Sequence, residues 1–279
     1  MIDFKDKIYE GAERRPSLWD CHIPVDAKAV IIFIHGYKGF KDWGCWQLVE
    51  NKFIKNRYGF IKYNISHNGG TVKQKIDFPD PDAFGKNCYS YELFDLKKII
   101  SETKRILQDE LNISMPIYLI GHSRGGGVAM LEAAVNNDIA AVVSWAGISD
   151  IACRFPDGEE LEFWEQDGVR YVENARTKQN LPHYFSFYED YIKNQDQFNI
   201  EKAARSLTIP FLQIHGDMDN AVSVHEGQEL SNWTRTNLEI IKGADHTFGS
   251  THPWTHSELP EDLEEVCQRT LIFLNKLTS

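Results

Sequence analysis

The clearest structural signal of this chain is the stretch Ile117-Tyr-Leu-Ile-Gly-His-Ser-Arg-Gly-Gly-Gly-Val-Ala-Met-Leu-Glu-Ala-Ala134. Its apolar start predicts a short buried strand, and the small residues at its end predict a helix. Between them lies Gly121-His-Ser-Arg-Gly125, a G-x-S-x-G pattern in a strand, turn and helix setting. A tight turn here would hold the Ser123 hydroxyl away from its own backbone, and glycines have no Cβ atoms to clash in it. Ser123 is therefore the candidate nucleophile.

Two further apolar runs predict buried strands that lead into polar loops. Ala29-Val-Ile-Ile-Phe-Ile34 suits a strand covered on both faces of a parallel sheet, and His35-Gly-Tyr-Lys-Gly39 follows it. The loop at the end of such a strand can direct a backbone N–H at an oxyanion. Pro210-Phe-Leu-Gln-Ile-His-Gly216 predicts another strand, and Asp217 and Asp219 follow it. Either carboxylate could orient an imidazole, and the residues alone leave the two open.

One histidine follows a late predicted strand. Leu238-Glu-Ile-Ile241 leads into Gly243-Ala-Asp-His246, so that His246 lies among small neighbours after the aspartate loop. We therefore choose His246 as the candidate base from the ten histidines of the chain. The order serine, aspartate, histidine belongs to the α/β-hydrolase arrangement, and not to those of chymotrypsin or subtilisin. His252 and His256 lie in a polar loop further on, where we predict that both are solvated.

Strands and helices alternate along the rest of the chain. Phe60-Ile-Lys-Tyr-Asn-Ile65 and Ala140-Ala-Val-Val-Ser-Trp-Ala146 predict two more strands, and the run around Ser17 predicts an antiparallel start to the sheet. A helix with Ser90 as its N-cap is predicted between strands, and another helix ends the chain. This alternation predicts a parallel sheet covered by helices on both sides.

On these motifs, the chain resembles α/β-hydrolases of the dienelactone-hydrolase and prolyl-oligopeptidase-like group, among them small bacterial esterases. The resemblance runs from Val30 to Leu274. It implies the α/β-hydrolase fold: a mostly parallel central sheet of about eight strands flanked by helices, with a helical cap inserted after the sixth strand. We expect residues 1–279 to form a single domain of this kind, with the cap at about residues 148–206.

The resemblance also implies a catalytic triad of Ser123, His246 and Asp219. Gly216, Asp219 and Val222 match a G-x-x-D-x-x-V pattern of the family, and Asp217 would then be a turn residue that bonds nearby backbone. The oxyanion hole is expected to use the backbone N–H groups of Tyr37 and Arg124, the latter being the residue after the nucleophile.

The predicted cap is rich in aromatic residues, and an aromatic lid would exclude water and supply an apolar pocket. Within it, Trp164 and Tyr184 are our candidate substrate-binding residues. For most of the other rings we favour ordinary packing of the cap against the body. Arg124 and Arg154 could bind an acidic group, but surface solvation is the interpretation that we prefer for both.

Taken together, these motifs predict a serine hydrolase that cleaves a small or medium carboxylic ester through an acyl-serine intermediate. A peptidase or aminoacyl hydrolase, a thioesterase and a lactone hydrolase would use the same catalytic parts. Dienelactone hydrolases proper carry cysteine at the nucleophile position, so Ser123 favours ordinary ester cleavage. The alternative from another class is a catalytically silent binding module on the same fold.

Composition bounds the partners of the chain. The net charge of −11 and the absence of a basic block disfavour nucleic acid, whose phosphates favour clustered lysine and arginine. The N-terminal residues carry charges where a secretory signal would be apolar, and no apolar run is long enough for a membrane span, so we expect a cytoplasmic protein with no membrane partner. We expect no cofactor. A metal site of His246, His252 and His256 has the wrong spacing for a helical zinc motif. A homodimer is one oligomeric state that the sequence allows.

Overall fold

A computed structural model describes residues 1–278 and contains an eight-stranded sheet. Its strands, in chain order, are β1 (Ile2–Glu10), β2 (Pro16–Ile23), β3 (Val30–Ile34), β4 (Gly59–Tyr63), β5 (Ile117–His122), β6 (Ile139–Trp145), β9 (Phe211–Gly216) and β10 (Leu238–Ile241). The spatial order is β1-β2-β4-β3-β5-β6-β9-β10. A separate two-stranded hairpin consists of β7 (Val169–Glu173) and β8 (Asn180–Tyr184).

Six strands of the large sheet run parallel to one another. All residues of β3, β5 and β9 are buried, as the continuous apolar runs in the sequence predict for strands covered on both faces. The strand β2 pairs antiparallel with both β1 and β4, which confirms the antiparallel start of the sheet. The mostly parallel sheet of eight strands is therefore as predicted.

Helices cover both faces of the sheet. They are α1 (Trp46–Lys55), α2 (Pro81–Lys86), α3 (Tyr89–Arg105), α4 (Arg124–Ala133), α5 (Gly158–Asp167), α6 (Ser186–Lys193), α7 (Ile200–Ser206), α8 (Val224–Thr234) and α9 (Glu261–Leu277). Buried side chains of α1 and α9 pack on one face, and those of α3, α4, α7 and α8 pack on the other. No helix within residues 1–278 combines the length and the apolar character that crossing a membrane requires.

The predicted N-cap of α3 was wrong. The helix begins two residues earlier than predicted, at Tyr89, with Cys88 as the capping residue. The Ser90 hydroxyl donates instead to the carboxylate of Asp190 on α6. A partner distant in sequence therefore takes the hydroxyl that local helix-capping rules would assign to the backbone.

The segment between β6 and β9 contains α5, the β7–β8 hairpin, α6 and α7. It follows the sixth strand, as expected, but the hairpin was not predicted. Many of its aromatic rings pack on one another: Phe155 lies 5.1 Å from Phe187 and 4.9 Å from Tyr191 between ring centroids. These rings join the buried cluster that contains α3 and α4, in line with the packing of the cap against the body that we favoured for most of them. The division of the chain into one domain with a cap stays a prediction.

A buried cluster of charged side chains lies at the antiparallel end of the sheet. The side chains of Lys41 and Lys62 are 2% and 1% exposed, and the ammonium groups of both face Asp20, at 2.8 Å and 3.6 Å. Asp42 and Glu50 lie close to Lys62, at 2.8 Å and 3.0 Å. A buried ion that keeps its partners is tolerated, whereas removal of one partner leaves an uncompensated charge away from water.

We predict that Asp20→Asn lowers the free energy of unfolding by about 3–5 kcal/mol, because two buried ammonium groups lose a shared carboxylate. The matched control is Glu201→Gln, which breaks an exposed pair with Arg205 on α7 and should cost less than about 0.5 kcal/mol. Urea denaturation of the three proteins measures both values. Equal losses in the two variants would contradict a structural role of the buried cluster.

Candidate active site

Ser123 lies in a strained turn between β5 and α4. Its backbone has φ of 59° and ψ of −123°, a conformation that non-glycine residues rarely adopt. The flanking glycines are required by close packing: a Cβ at Gly121 would lie 2.2 Å from the carbonyl oxygen of Gly125, and one at Gly125 would lie 2.3 Å from that of Ile34. The turn therefore presses against the end of β3 and presents the Ser123 side chain at the carboxyl edge of the sheet.

The side chains of Ser123, His246 and Asp219 form a continuous hydrogen-bonded chain. The Ser123 Oγ lies 3.0 Å from Nε2 of His246, and Nδ1 of His246 lies 2.7 Å from Oδ2 of Asp219. The strands that precede these residues are β5, β10 and β9, whose carboxyl ends share one edge of the sheet. Three residues far apart in sequence are thus brought together at that edge.

Asp219 is held in place by donors from its own loop and from β9. Its Oδ1 accepts the backbone N–H groups of Ala221 and Val222, both at 2.8 Å. The ring of His215 lies 3.2 Å from its other oxygen. Burial acts to raise the pKa of Asp219, but hydrogen bonds from His215, His246 and the backbone outweigh it and hold that pKa well below its usual range. Asp219 is therefore an ionised, fixed acceptor facing His246.

His215 is a positioning residue that the sequence analysis missed. Its side chain is fully buried, and Nε2 lies 2.9 Å from the carbonyl oxygen of Val222 as well as close to Asp219. The only signal for His215 in the sequence was its spacing of four residues from Asp219. Such a spacing indicates a shared face in a helix, but not in a strand followed by a turn.

Asp217 points away from this chain of hydrogen bonds. Its Oδ1 accepts the backbone N–H of Gly243 at 2.5 Å, which ties the loop after β9 to the loop after β10. The structure therefore brings Asp219 to His246, and leaves Asp217 as a residue that bonds nearby backbone.

Two buried histidines fix the loops around Ser123. Nε2 of His122 donates to the carbonyl oxygen of His246 at 2.8 Å, while the two rings lie 4.9 Å apart. Nε2 of His35 accepts the N–H of Ile65 at 3.2 Å, so its Nδ1 donates to the carbonyl oxygen of Gly36 at 2.9 Å. Burial lowers the pKa of His122 to about 3 and that of His35 to about 4, so both rings stay neutral near pH 7.

The loop after β3 lies directly against the serine turn. A Cβ at Gly36 would lie 2.8 Å from the Cβ of Ser123, which leaves room only for glycine at that point of contact. The next residue, Tyr37, shares a hydrogen bond of 2.6 Å between its hydroxyl and Nε2 of His183 on β8. This bond joins the loop after β3 to the inserted hairpin above the site.

Two cavities meet at Ser123 and His246. The first, which we call the arginine cavity, has a volume of about 410 Å³ and is lined in part by Arg124, Arg154, Arg170, Ile148, Val172 and Phe187. The second, which we call the tryptophan cavity, has a volume of about 280 Å³ and is lined in part by Lys38, Trp43, Trp46, Asn174 and Arg176. Ser123 and His246 thus lie in the wall that the two cavities share.

The two expected substrate-binding residues of the cap do not line either cavity. Trp164 is buried behind the hairpin, where its indole N–H donates to the carbonyl oxygen of His183 at 2.8 Å. Tyr184 lies on the outer side, packs against Gly85, and donates its hydroxyl to Asp82 at 2.9 Å. The hairpin explains both positions, because its alternation turns His183 inward and Tyr184 outward.

Two other expectations are corrected. Arg124 and Arg154 are not surface residues in solvent, because both line the arginine cavity, with side chains 12% and 26% exposed. His252 is likewise half-buried, and its Nδ1 accepts the backbone N–H of Gly44 at 2.9 Å. Within residues 1–278, histidine, cysteine and acidic side chains form no group of three that could hold a metal ion.

Four buried neutral histidines predict that the protein loses stability on mild acidification. Burial lowers the pKa values of His35 and His67 to about 4 and those of His122 and His183 to about 3, so the unfolded chain binds more protons between pH 6.5 and pH 4. Stability should therefore be complete above pH 6.5 and decrease below it. Asp95 opposes this change, since burial raises its pKa to about 6, but it is one group against four histidines.

We expect the free energy of unfolding in urea to fall by about 4–6 kcal/mol between pH 7 and pH 5. The variant His183→Phe keeps an aromatic ring and should show a smaller decrease than the wild-type protein. The variant His256→Phe, at an exposed position, should show the same decrease as the wild-type protein. A decrease that is the same in all three proteins would contradict this explanation.

Solved structures with similar folds are numerous. Est1E from Butyrivibrio proteoclasticus, solved with ferulic acid bound, has a TM-score of 0.72 at 19% identity over 97% of this chain and 98% of that chain. The dienelactone hydrolase from Anabaena variabilis ATCC 29413 has a TM-score of 0.64 at 16% identity, over 98% of each chain. The monoacylglycerol lipase of Paleococcus ferrophilus has a TM-score of 0.67 at 14% identity, over 98% of this chain and 100% of that chain.

No protein-family model matches the sequence, and no curated protein matches it either. Identities below one fifth establish the architecture and nothing finer. The sheet order, the helices on both faces and the full-length likeness to these structures agree with one another. The chain has the α/β-hydrolase fold.

Proposed function

We propose that this protein is a serine hydrolase that cleaves a carboxylic ester of small or medium size. His246 removes the proton of Ser123 as the hydroxyl oxygen attacks the ester carbonyl, and then gives that proton to the departing alcohol. Water, activated by the same imidazole, next attacks the acyl-serine and releases the acid. Asp219 keeps the proton of His246 on Nδ1 and stabilises the imidazolium that forms.

The observation that supports this proposal is the hydrogen-bonded chain from Ser123 through His246 to Asp219. Its two distances, 3.0 Å and 2.7 Å, are within the range that proton transfer and imidazole orientation require. The lowered pKa of Asp219 supports its role as a permanent anion. A serine that only began a helix would need neither His246 nor Asp219 as a partner.

We further propose that the backbone N–H groups of Tyr37 and Arg124 stabilise the oxyanion. Arg124 is the first residue of α4, whose N-terminal dipole favours negative charge at this point. The loop that carries Tyr37 touches Ser123 through Gly36. Because these donors belong to the main chain, changes of either side chain should affect substrate binding more than the chemical step.

The volumes of the two cavities support a substrate of limited size. Together they provide space for an acyl group on one side of Ser123 and an alcohol on the other. A peptidase, a thioesterase and a lactone hydrolase remain alternatives with the same catalytic parts. The solved structures of similar fold include an esterase with ferulic acid bound and a monoacylglycerol lipase, which favours ester cleavage. A cytoplasmic location and a homodimer stay predictions from the sequence.

The proposed function predicts covalent labelling of Ser123 by a fluorophosphonate probe. We expect stoichiometric labelling of the folded protein and turnover of short p-nitrophenyl esters, both lost in Ser123→Ala. A panel of aryl esters, thioesters and aminoacyl amides ranks the alternative reactions. Folded protein that is not labelled at all would favour a binding module without catalytic activity.

Two aspartates in one loop provide a matched pair of variants. We predict that Asp219→Asn lowers kcat by about 10³–10⁴-fold, as loss of the anion that orients a catalytic imidazole does elsewhere. Asp217→Asn should change kcat by less than about 5-fold, because Asp217 bonds only the backbone of the neighbouring loop. Steady-state kinetics on one p-nitrophenyl ester compares them. The reverse order of effects would show that the acid is misassigned.

A further inference from the structure

The wall of the arginine cavity is positively charged in a protein of negative net charge. Three arginines line it, namely Arg124, Arg154 and Arg170, and no aspartate or glutamate does so in the part of the chain that the structure describes. The whole chain carries a net charge of −11. A cationic wall next to the candidate nucleophile therefore contrasts with the overall charge of the chain.

The positive charge of Arg124 is balanced by Glu92, which does not line the arginine cavity. Its Nη1 donates to Oε1 of Glu92 at 3.1 Å. The guanidinium also lies 4.5 Å from the ring centroid of Tyr37 and 5.2 Å from that of Tyr89. This enclosure fixes Arg124 as part of the wall, and its positive charge has a permanent counterion.

The charge of Arg154 is also balanced, but one of its donors is free. Its Nη2 donates to both carboxylate oxygens of Glu226, and Glu226 in turn accepts the backbone N–H of Ser149 at 2.9 Å. The Nε of Arg154 is buried and has no acceptor within residues 1–278. A buried N–H that lacks an acceptor costs stability unless a bound group supplies one.

Arg170 differs from the other two because it forms no ion pair within the described residues. It lies on β7, in the inserted hairpin, with its guanidinium 4.6 Å from the ring centroid of Trp164. Its Nε is buried and has no acceptor among residues 1–278. Burial lowers the pKa of Arg170, and the opposing effects of Tyr37 and Glu160 do not offset it. The hairpin thus places one unpaired cation in the wall of the cavity.

We propose that the ester substrate carries a carboxylate, which binds Arg170 in the arginine cavity while the ester carbonyl lies at Ser123. A carboxylate can accept two hydrogen bonds from the N–H donors of one guanidinium, and such charge-assisted pairs are strong. The substrate class is then a half-ester of a dicarboxylic acid, or an ester of a hydroxy acid. This inference rests on the proposed function and adds the chemistry of the substrate to it.

Apolar residues between the charged groups fit the same substrate class. Ile148, Val172, Phe187 and Val222 line the cavity together with the arginines. They can cover a short hydrocarbon chain that separates the ester from the carboxylate. A cavity of about 410 Å³ accommodates a chain of several carbon atoms but excludes a large folded partner.

Two pairs of unactivated esters test the proposal by titration of released acid. Monomethyl adipate is compared with dimethyl adipate, and 4-acetoxybutanoate with its methyl ester, so that the carboxylate lies on the acyl side in one pair and on the alcohol side in the other. We expect kcat/KM of at least one anionic ester to exceed that of its neutral partner by 10-fold or more. Neutral esters preferred in both pairs would overturn the inference.

Substitution of Arg170 separates recognition of the anion from catalysis. We expect Arg170→Gln to lower kcat/KM for the preferred anionic ester by about 10–100-fold, mainly through KM, and to change that of the neutral ester by less than about 3-fold. Arg170→Lys should recover part of the loss because it keeps the charge. The control is Arg205→Gln, since Arg205 also lies over a tryptophan ring, at 5.9 Å from that of Trp233, but outside both cavities. Equal losses on both esters would overturn the inference.

A binding experiment keeps this inference distinct from the proposed function. In the Ser123→Ala protein, calorimetry should show tighter binding of monomethyl adipate than of dimethyl adipate, with the difference lost in Ser123→Ala/Arg170→Gln. Absence of that difference overturns the inference, even if fluorophosphonate labels Ser123 in the wild-type protein. If labelling fails and the difference is present, the proposed esterase function is wrong, while the anion site at Arg170 is supported.

Discussion

The close contact between the serine turn and the end of β3 is the constraint on which the site depends. The backbone of Gly125 packs against the carbonyl oxygen of Ile34 so tightly that a Cβ would overlap it. Beside this contact Ser123 has a backbone φ of 59°, and α4 begins at the next residue. A second close contact, between Gly36 and the Cβ of Ser123, holds the loop of Tyr37 beside the serine. Two adjoining packing contacts therefore position the groups that the proposed reaction needs.

Much of the fold and part of the site could be predicted from the sequence, because both follow from strand ends. Apolar runs such as Ala29–Ile34 have one stable location, inside a parallel sheet, and residues directly after them must lie at its carboxyl edge. For that reason Ser123, His246 and Asp219 could be chosen before their distances were known. The choice between Asp217 and Asp219 required a family pattern, since both follow β9 and only the path of the loop separates them.

The inserted segment could not be predicted at the same level. Its aromatic residues carry no period that distinguishes packing from substrate contact, so Trp164 and Tyr184 were chosen although the structure turns them away from the cavities. The β7–β8 hairpin is short and partly exposed, and its strands lack the apolar runs of the central sheet. Arg170 gave no signal, because the meaning of a single arginine depends on which carboxylates its neighbours supply, and this is known only from the fold.

The central claim is that Ser123 becomes acylated during turnover, and the most direct measurement is mass spectrometry of protein quenched in the first turnover of p-nitrophenyl acetate. We expect an acetyl group on the peptide that contains Ser123, in molar proportion to the initial release of p-nitrophenol, and its absence in the Ser123→Ala protein. Release of p-nitrophenol without acylation of that peptide, or acylation that persists in Ser123→Ala, would show that Ser123 is not the nucleophile.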